Sequence, residues 1–126
     1  MSAEALARGL RLSLAHAQLA LALDDEIGTH HGIAWADLIV LGQLAAAPGG
    51  ELALPELARA TGQQASALLR QLLPMEKLGM VSRGGEARRV RLTTAGRRLQ
   101  REAGDSAGWV CERYFAGLDA AQGGMP

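Results

Sequence analysis

Four aromatic side chains, two Trp, one Tyr and one Phe, are all that 126 residues contain, 3% of the chain. Apolar content is nonetheless 48%, drawn mainly from Ala and Leu, a composition that favours helices packed on helices and leaves room for few strands. Cysteine is down to one, Cys111, which excludes an internal disulfide framework and makes a reducing cytoplasm the simplest compartment. Long apolar runs are missing too. The longest N-terminal tract, "LSLAHAQLALAL", is interrupted by His16 and Gln18 and closes on "DDE", too short and too polar to span a bilayer. Neither a secretion signal nor an internal repeat is visible, so a soluble protein of one domain, residues 1–126, is expected.

Net charge is also absent, with 13 basic and 13 acidic residues, but the balance hides an asymmetry. Residues 70 to 101 hold nine basic and two acidic side chains, a local +7 that the rest of the chain offsets. A one-signed block on a small domain is the footprint expected of a phosphate-binding surface. The bland alternative is a solvated helix face.

What is present is mostly helical spacing. Residues 2 to about 27 place Leu6, Leu10, Leu14, Ala17 and Leu21 on one stripe, broad enough to ask for a partner subunit, and "GTHHG" is expected to break that helix. A second helix spans about 34 to 46. A third begins near Pro55, where a missing amide costs nothing, and stops at Gly62. The next stretch, "ASALLRQLLPMEKL", keeps three-and-four spacing on both sides of Pro74 and predicts a continuous but kinked fourth helix. Its apolar face would be Ala65, Leu68, Leu69, Leu72, Met75 and Leu78. Helix, tight glycine turn and helix make a helix-turn-helix. After Gly79, "MVSR" and "ARRVRL" alternate like two strands around "GGE", and Thr93 caps a last helix from Thr94 to about Gly117. The end of the chain, 119–126, is expected to be disordered.

Catalytic constellations are lacking. Ser66, Thr93 and Cys111 have no base at motif spacing, and no phosphate loop is present, so neither an enzyme nor a cofactor is expected. His16, His30, His31, Asp24, Asp25, Glu26 and Cys111 match no ligand spacing, and no metal is expected. Cys111 reads as a buried inert thiol, with redox sensing as the alternative. His30, His31, Trp35 and Trp109 are the candidate lining of a ligand cleft; the competing reading, favoured by the scarcity of aromatics, makes Trp35, Trp109, Tyr114 and Phe115 core.

Over roughly residues 26 to 102 four stretches, in order, resemble the MarR family of regulators: "HGIAWADLIVLGQLA", "LPELARATG", "SALLRQLLPMEKLGMVSR" and "VRLTTAGRRL". The resemblance implies a mainly α, winged helix-turn-helix fold, with a two-stranded β-hairpin wing and long N- and C-terminal dimerisation helices. Its parts would be a DNA-binding lobe at 33–93 and dimerisation helices at 2–30 and 94–118. It further implies a cytoplasmic homodimer that binds pseudo-palindromic double-stranded operator DNA, in most cases as a repressor, released by a small aromatic effector or an oxidant. The wing is short beside the family's pattern. The family's usual helix after the long one is replaced by "LDAAQGGMP", so dimerisation would rest on residues 2–27 and 105–118.

On that frame Gln63, Gln64, Ser66, Ala67 and Arg70 are the expected major-groove contacts, small or polar residues at a helix N-terminus that permit close approach. Arg83, Arg88, Arg89 and Arg91 are the wing contacts to phosphate or minor groove. Leu6, Leu10, Leu14, Ala17 and Leu21, with Val110 and Tyr114, are the expected dimer interface. The alternative function is a winged-helix module for protein-protein contact with little or no DNA binding.

Overall fold

The computed structural model describes residues 2–85 and 88–123. Among these, the chain forms α1 (Ser2–His31), α2 (Trp35–Ala46), β1 (Glu51–Ala53), α3 (Leu54–Ala60), α4 (Ala65–Lys77), β2 (Val81–Gly84), β3 (Arg89–Leu92) and α5 (Thr94–Gly123). They fall into two compact units. One holds α1 and the part of α5 from Asp105 onward; the other runs from Ala36 to Gly104 and so takes in the start of α5, beyond the boundary of 93 expected for the lobe.

In the first unit α1 does not break at "GTHHG". It continues to His31 and closes at Gly32, whose amide donates to the Gly28 carbonyl at 3.1 Å. Tertiary contacts override the weak helix formers: His31 Nε2 and Ser106 Oγ of α5 hydrogen-bond at 2.8 Å, and the Trp35 amide donates to Asp24 Oδ1 at 2.7 Å. α5 likewise outruns its expected end, remaining helical through Gly123 where a disordered tail from 119 was expected. Residues 124–126 lie outside the described residues. Ala103, Ala107 and Val110 form a buried row at helical spacing, which outweighs the cost of about 1 kcal/mol for each of Gly104 and Gly108.

Leu23 and Ile27 of α1 are fully buried, with Ile33 close to it. The aromatics are not core. Trp109 and Phe115 are each 51% exposed, and Trp35 and Tyr114 are half-buried, so the interior is aliphatic. Val110, expected at a dimer contact, is instead turned into the chain's own interior.

The second unit is centred on Leu41, Leu44, Leu57, Leu68, Leu72, Val81 and Val90, all buried to within 2%. α3 ends in a two-bond αL closure: the Gln63 amide donates to Ala58 O at 2.9 Å and the Gly62 amide to Arg59 O at 3.2 Å. Gly62 sits at φ +68°, which a side chain would disfavour, and this sharp reversal starts α4 at Ala65. The end of α4 repeats the pattern, Met80 donating to Met75 O and Gly79 to Glu76 O, both at 3.0 Å. Between those ends α4 is one helix with Pro74 inside it, as the spacing predicts. Leu68, Leu72 and Met75 are buried, but Ala65 and Leu78, expected on the same face, are exposed.

The sheet has three strands rather than the expected two, in the order β1-β3-β2, all antiparallel. β1 pairs Glu51 with Arg91 and Leu52 with Val90; β2 pairs Val81 with Leu92 and Arg83 with Val90. Directly opposed residues share a face. One face therefore carries Val81, Arg83, Val90 and Leu92, and the other Glu51, Arg89 and Arg91. Thr93 then joins sheet to helix. Its hydroxyl oxygen accepts from the Gly96 amide at 2.9 Å, capping α5, and donates to the Met80 carbonyl at 2.9 Å. Gly96 is pressed so close that a Cβ there would overlap the Met80 carbonyl oxygen.

Candidate nucleic-acid interface

α4 buries one face and leaves Ser66, Arg70, Leu73 and Lys77 exposed on another. Arg70 has no hydrogen bond or ion pair among the described residues. Gln64, the residue before the helix, is exposed and makes no side-chain cap, while Ala67 is half-buried. Gln63 is directed elsewhere. Its amide nitrogen donates to Thr61 Oγ1 at 3.1 Å and to Gln71 Oε1 at 2.9 Å, and Gln71 Nε2 donates in turn to Asp37 Oδ1 at 2.9 Å. This chain of amides joins α2, the α3–α4 turn and α4. It also removes Gln71 from the exposed stripe of α4, where helical spacing alone would put it.

The wing arginines separate by sheet parity. Arg89 and Arg91, both on the outer face, converge on Glu51: Arg89 Nε donates to Oε1 at 2.9 Å, and Arg91 donates to Oε2 from Nε at 2.9 Å and from Nη2 at 2.7 Å. These two guanidiniums, Arg91 foremost, hold the Glu51 carboxyl below its ordinary value of 4.5 despite partial desolvation. Arg83, on the inner face, donates to Glu76 Oε1 of α4 from Nη2 at 3.1 Å and from Nε at 3.3 Å. Arg88 is exposed in the turn with φ +51°, an uncommon conformation for a side-chain-bearing residue, and its carbonyl accepts the Leu54 amide at 3.0 Å. Glu86, expected at the tip of the wing, lies outside the described residues.

Two open notches flank the wing. One, of about 420 Å³, is lined by Leu54, Leu69, Glu76, Arg83, Gly85 and Arg88; the other, of about 330 Å³, by Glu51, Ser82, Arg83, Gly85, Arg89 and Arg91. Each contains one carboxylate and an excess of guanidinium. Glu51 was not singled out in the sequence, and Glu76 entered only as a charge in the balance of the block, although each bonds the cations it faces.

The expected ligand-cleft residues each have their own surroundings. His30 pairs with Glu26 one turn back at 3.2 Å, His31 with Ser106, and Trp35 through its backbone with Asp24. Trp109 lines a cavity of about 390 Å³ with Ala22, Asp25, Glu26, Val110, Arg113 and Tyr114. There the Arg113 guanidinium lies 4.7 Å from the centre of the Trp109 ring. Cys111 is free and half-buried. Among the described residues no three His, Cys, Asp or Glu side chains are grouped to hold a metal ion, and no helix is long and apolar enough to cross a membrane.

No family model and no curated protein matches the chain. Solved structures do. AbsC, a MarR family transcriptional regulator from Streptomyces coelicolor, is similar with a TM-score of 0.78 at 24% identity, over 94% of this chain and 82% of its own. The MarR family protein Rv2887 of Mycobacterium tuberculosis gives 0.73 at 27% identity over 90% and 83%, and is also solved in complexes with p-aminosalicylic acid and salicylic acid. Sco3205, a MarR family regulator from Streptomyces coelicolor solved in complex with DNA, gives 0.77 at 23% identity over 90% and 74%. The chain thus has the winged helix-turn-helix fold of the MarR family of DNA-binding transcriptional regulators, a non-enzymatic family, and its structural neighbours across most of its length are members of that family.

Proposed function

We propose that the chain is a cytoplasmic, homodimeric transcriptional repressor that binds pseudo-palindromic operator DNA. One observation supports this most directly: Arg70 stands exposed and unengaged, one turn after Ser66, on the helix that follows the Gly62 closure. In this reading Gln64, Ser66, Ala67 and Arg70 meet base edges and phosphates of the major groove, and Gln63 contributes through its carbonyl oxygen while its nitrogen supports the turn. Arg83, Arg88, Arg89 and Arg91 address the backbone beside it. Two copies related by a two-fold axis reach successive major grooves about 34 Å apart. Leu6, Leu10, Leu14, Ala17, Leu21 and Tyr114 supply the contact between copies.

Release by a small aromatic acid has a candidate seat in the Trp109 cavity, where Arg113 offers a carboxylate partner beside an indole face. Rv2887, with its salicylate complexes, supplies the analogy. The test of the main reading is selection of bound fragments from genomic DNA, followed by titration of the recovered site with Arg70→Ala. The variant should lose about 1 to 3 kcal/mol of binding with its folding intact. An unchanged footprint would remove Arg70 from the interface.

A second reading, a winged-helix module for protein-protein contact, draws support from Leu73 and Leu78 of the α4 region, 44% and 71% exposed. Failure to retain DNA at low salt would favour it, because a phosphate-contacting surface binds more tightly as salt falls.

A further inference from the structure

The cations of the basic block divide by element. Arg70, Lys77, Arg97, Arg98 and Arg101, all on helices, have no ion pair among the described residues, whereas Arg83, Arg89 and Arg91, all on strands, are each bonded to a carboxylate at 2.7 to 3.3 Å, and Arg88, exposed in the turn between β2 and β3, belongs to neither set. The carboxylates come from outside the hairpin: Glu76 from α4 and Glu51 from β1, one to each notch. A carboxylate on a guanidinium fork occupies the same N–H edge that a phosphate would take. Exposed pairs of this type are weak, so a phosphate can displace the carboxylate, but the displaced anion then stays beside the incoming one.

We propose that Glu51 and Glu76 are built-in phosphate substitutes that hold the wing arginines back from the DNA backbone, so that the wing engages only where α4 is already docked. The inference rests on the DNA-binding reading and adds residues that set specificity. Binding to arbitrary sequence depends on phosphate contacts almost entirely, and binding to a cognate site depends on them only in part. Carboxylates that tax phosphate contacts therefore lower the first more than the second. Parity explains why two are present, since Arg83 and the Arg89–Arg91 pair lie on opposite faces of the sheet and each set is bonded by its own carboxylate.

The experiment is a fluorescence-anisotropy titration of a mixed-sequence duplex, over a salt series, with the wild-type chain, Glu76→Gln, Glu51→Gln, Arg83→Ala and the double variant Glu76→Gln/Arg83→Ala. Glu76→Gln should bind about two- to fivefold more tightly, the range set by exposed ion pairs. Its salt dependence should steepen by about one phosphate contact, and that of Glu51→Gln by up to about two. In the double variant the gain from Glu76→Gln should vanish, because the guanidinium it releases is gone. Unchanged or weaker binding by both glutamine variants overturns the proposal, as does a gain that persists without Arg83, which would mark a general charge effect. Circular dichroism guards against a sheet disturbed by Glu51→Gln, and Glu76→Gln, outside the sheet, gives an independent answer. If no chain, wild type included, binds the duplex at low salt, the DNA-binding reading itself fails; binding by the wild type with no response in the variants removes only this inference.

Discussion

Glu51 is a carboxylate shared by two guanidiniums, and that makes it a link between acidity and the stability of the wing. Its folded-state carboxyl titrates below the ordinary 4.5 because ionisation is favoured by Arg91 and Arg89. Such a group stabilises the fold at any pH above its unfolded value, and that contribution disappears as pH falls through the lower folded value. Glu51→Gln should therefore reduce stability at neutral pH and narrow the difference from wild type below about 4.5. Urea denaturation at a series of pH values checks this, and a difference that stays constant into acid would contradict it. The arginines were legible in the sequence as a block of charge. Their partners were not, because Glu51 is 40 positions from Arg91 and nothing local marks the two as neighbours. The bonds from Gln63 to Gln71 and on to Asp37 were hidden for a similar reason: helical spacing fixes the direction of a side chain but says nothing of an Asp37 on another helix within its reach.

Elements were more legible than contacts wherever a local signal sufficed. Gly62 and Gly79 marked both helix closures, Thr93 marked the cap of α5, and Pro74 did not interrupt a helix whose apolar spacing crossed it. β1 was invisible because three residues carry no period and their pairing partner is the distant β3. α5 was drawn too short because its exposed stretch beyond Gly117, residues 118–121, buries no apolar row that spacing could reveal, yet the helix runs on to Gly123. The junction of β3 and α5 carries its own prediction. Gly96→Ala would gain about 1 kcal/mol of helix propensity but drive a methyl into the Met80 carbonyl, and overpacking against backbone costs about 3 kcal/mol. A net loss is expected, read as a lower urea midpoint. An unchanged midpoint would mean that the first turn of α5 can withdraw from Met80 freely.

At the scale of the molecule, α1 is the unfinished part. Leu6, Leu10, Leu14 and Leu21 are 54% to 74% exposed, a stripe that water covers poorly and a second copy of the chain would cover well. Leu10→Glu should leave the chain's own fold intact, since that side chain is outside the core, and should convert a dimer to a monomer in sedimentation. A dimer that survives the substitution would place the contact elsewhere. The order of the sheet has a different kind of consequence. Its middle strand, β3, comes last in the sequence, so β1 and β2 share a neighbour that neither has until residues 89–92 emerge. During synthesis β1 must wait through the whole helix-turn-helix before it can pair, a long loop to close, and the lobe assembles late and all at once rather than from its beginning.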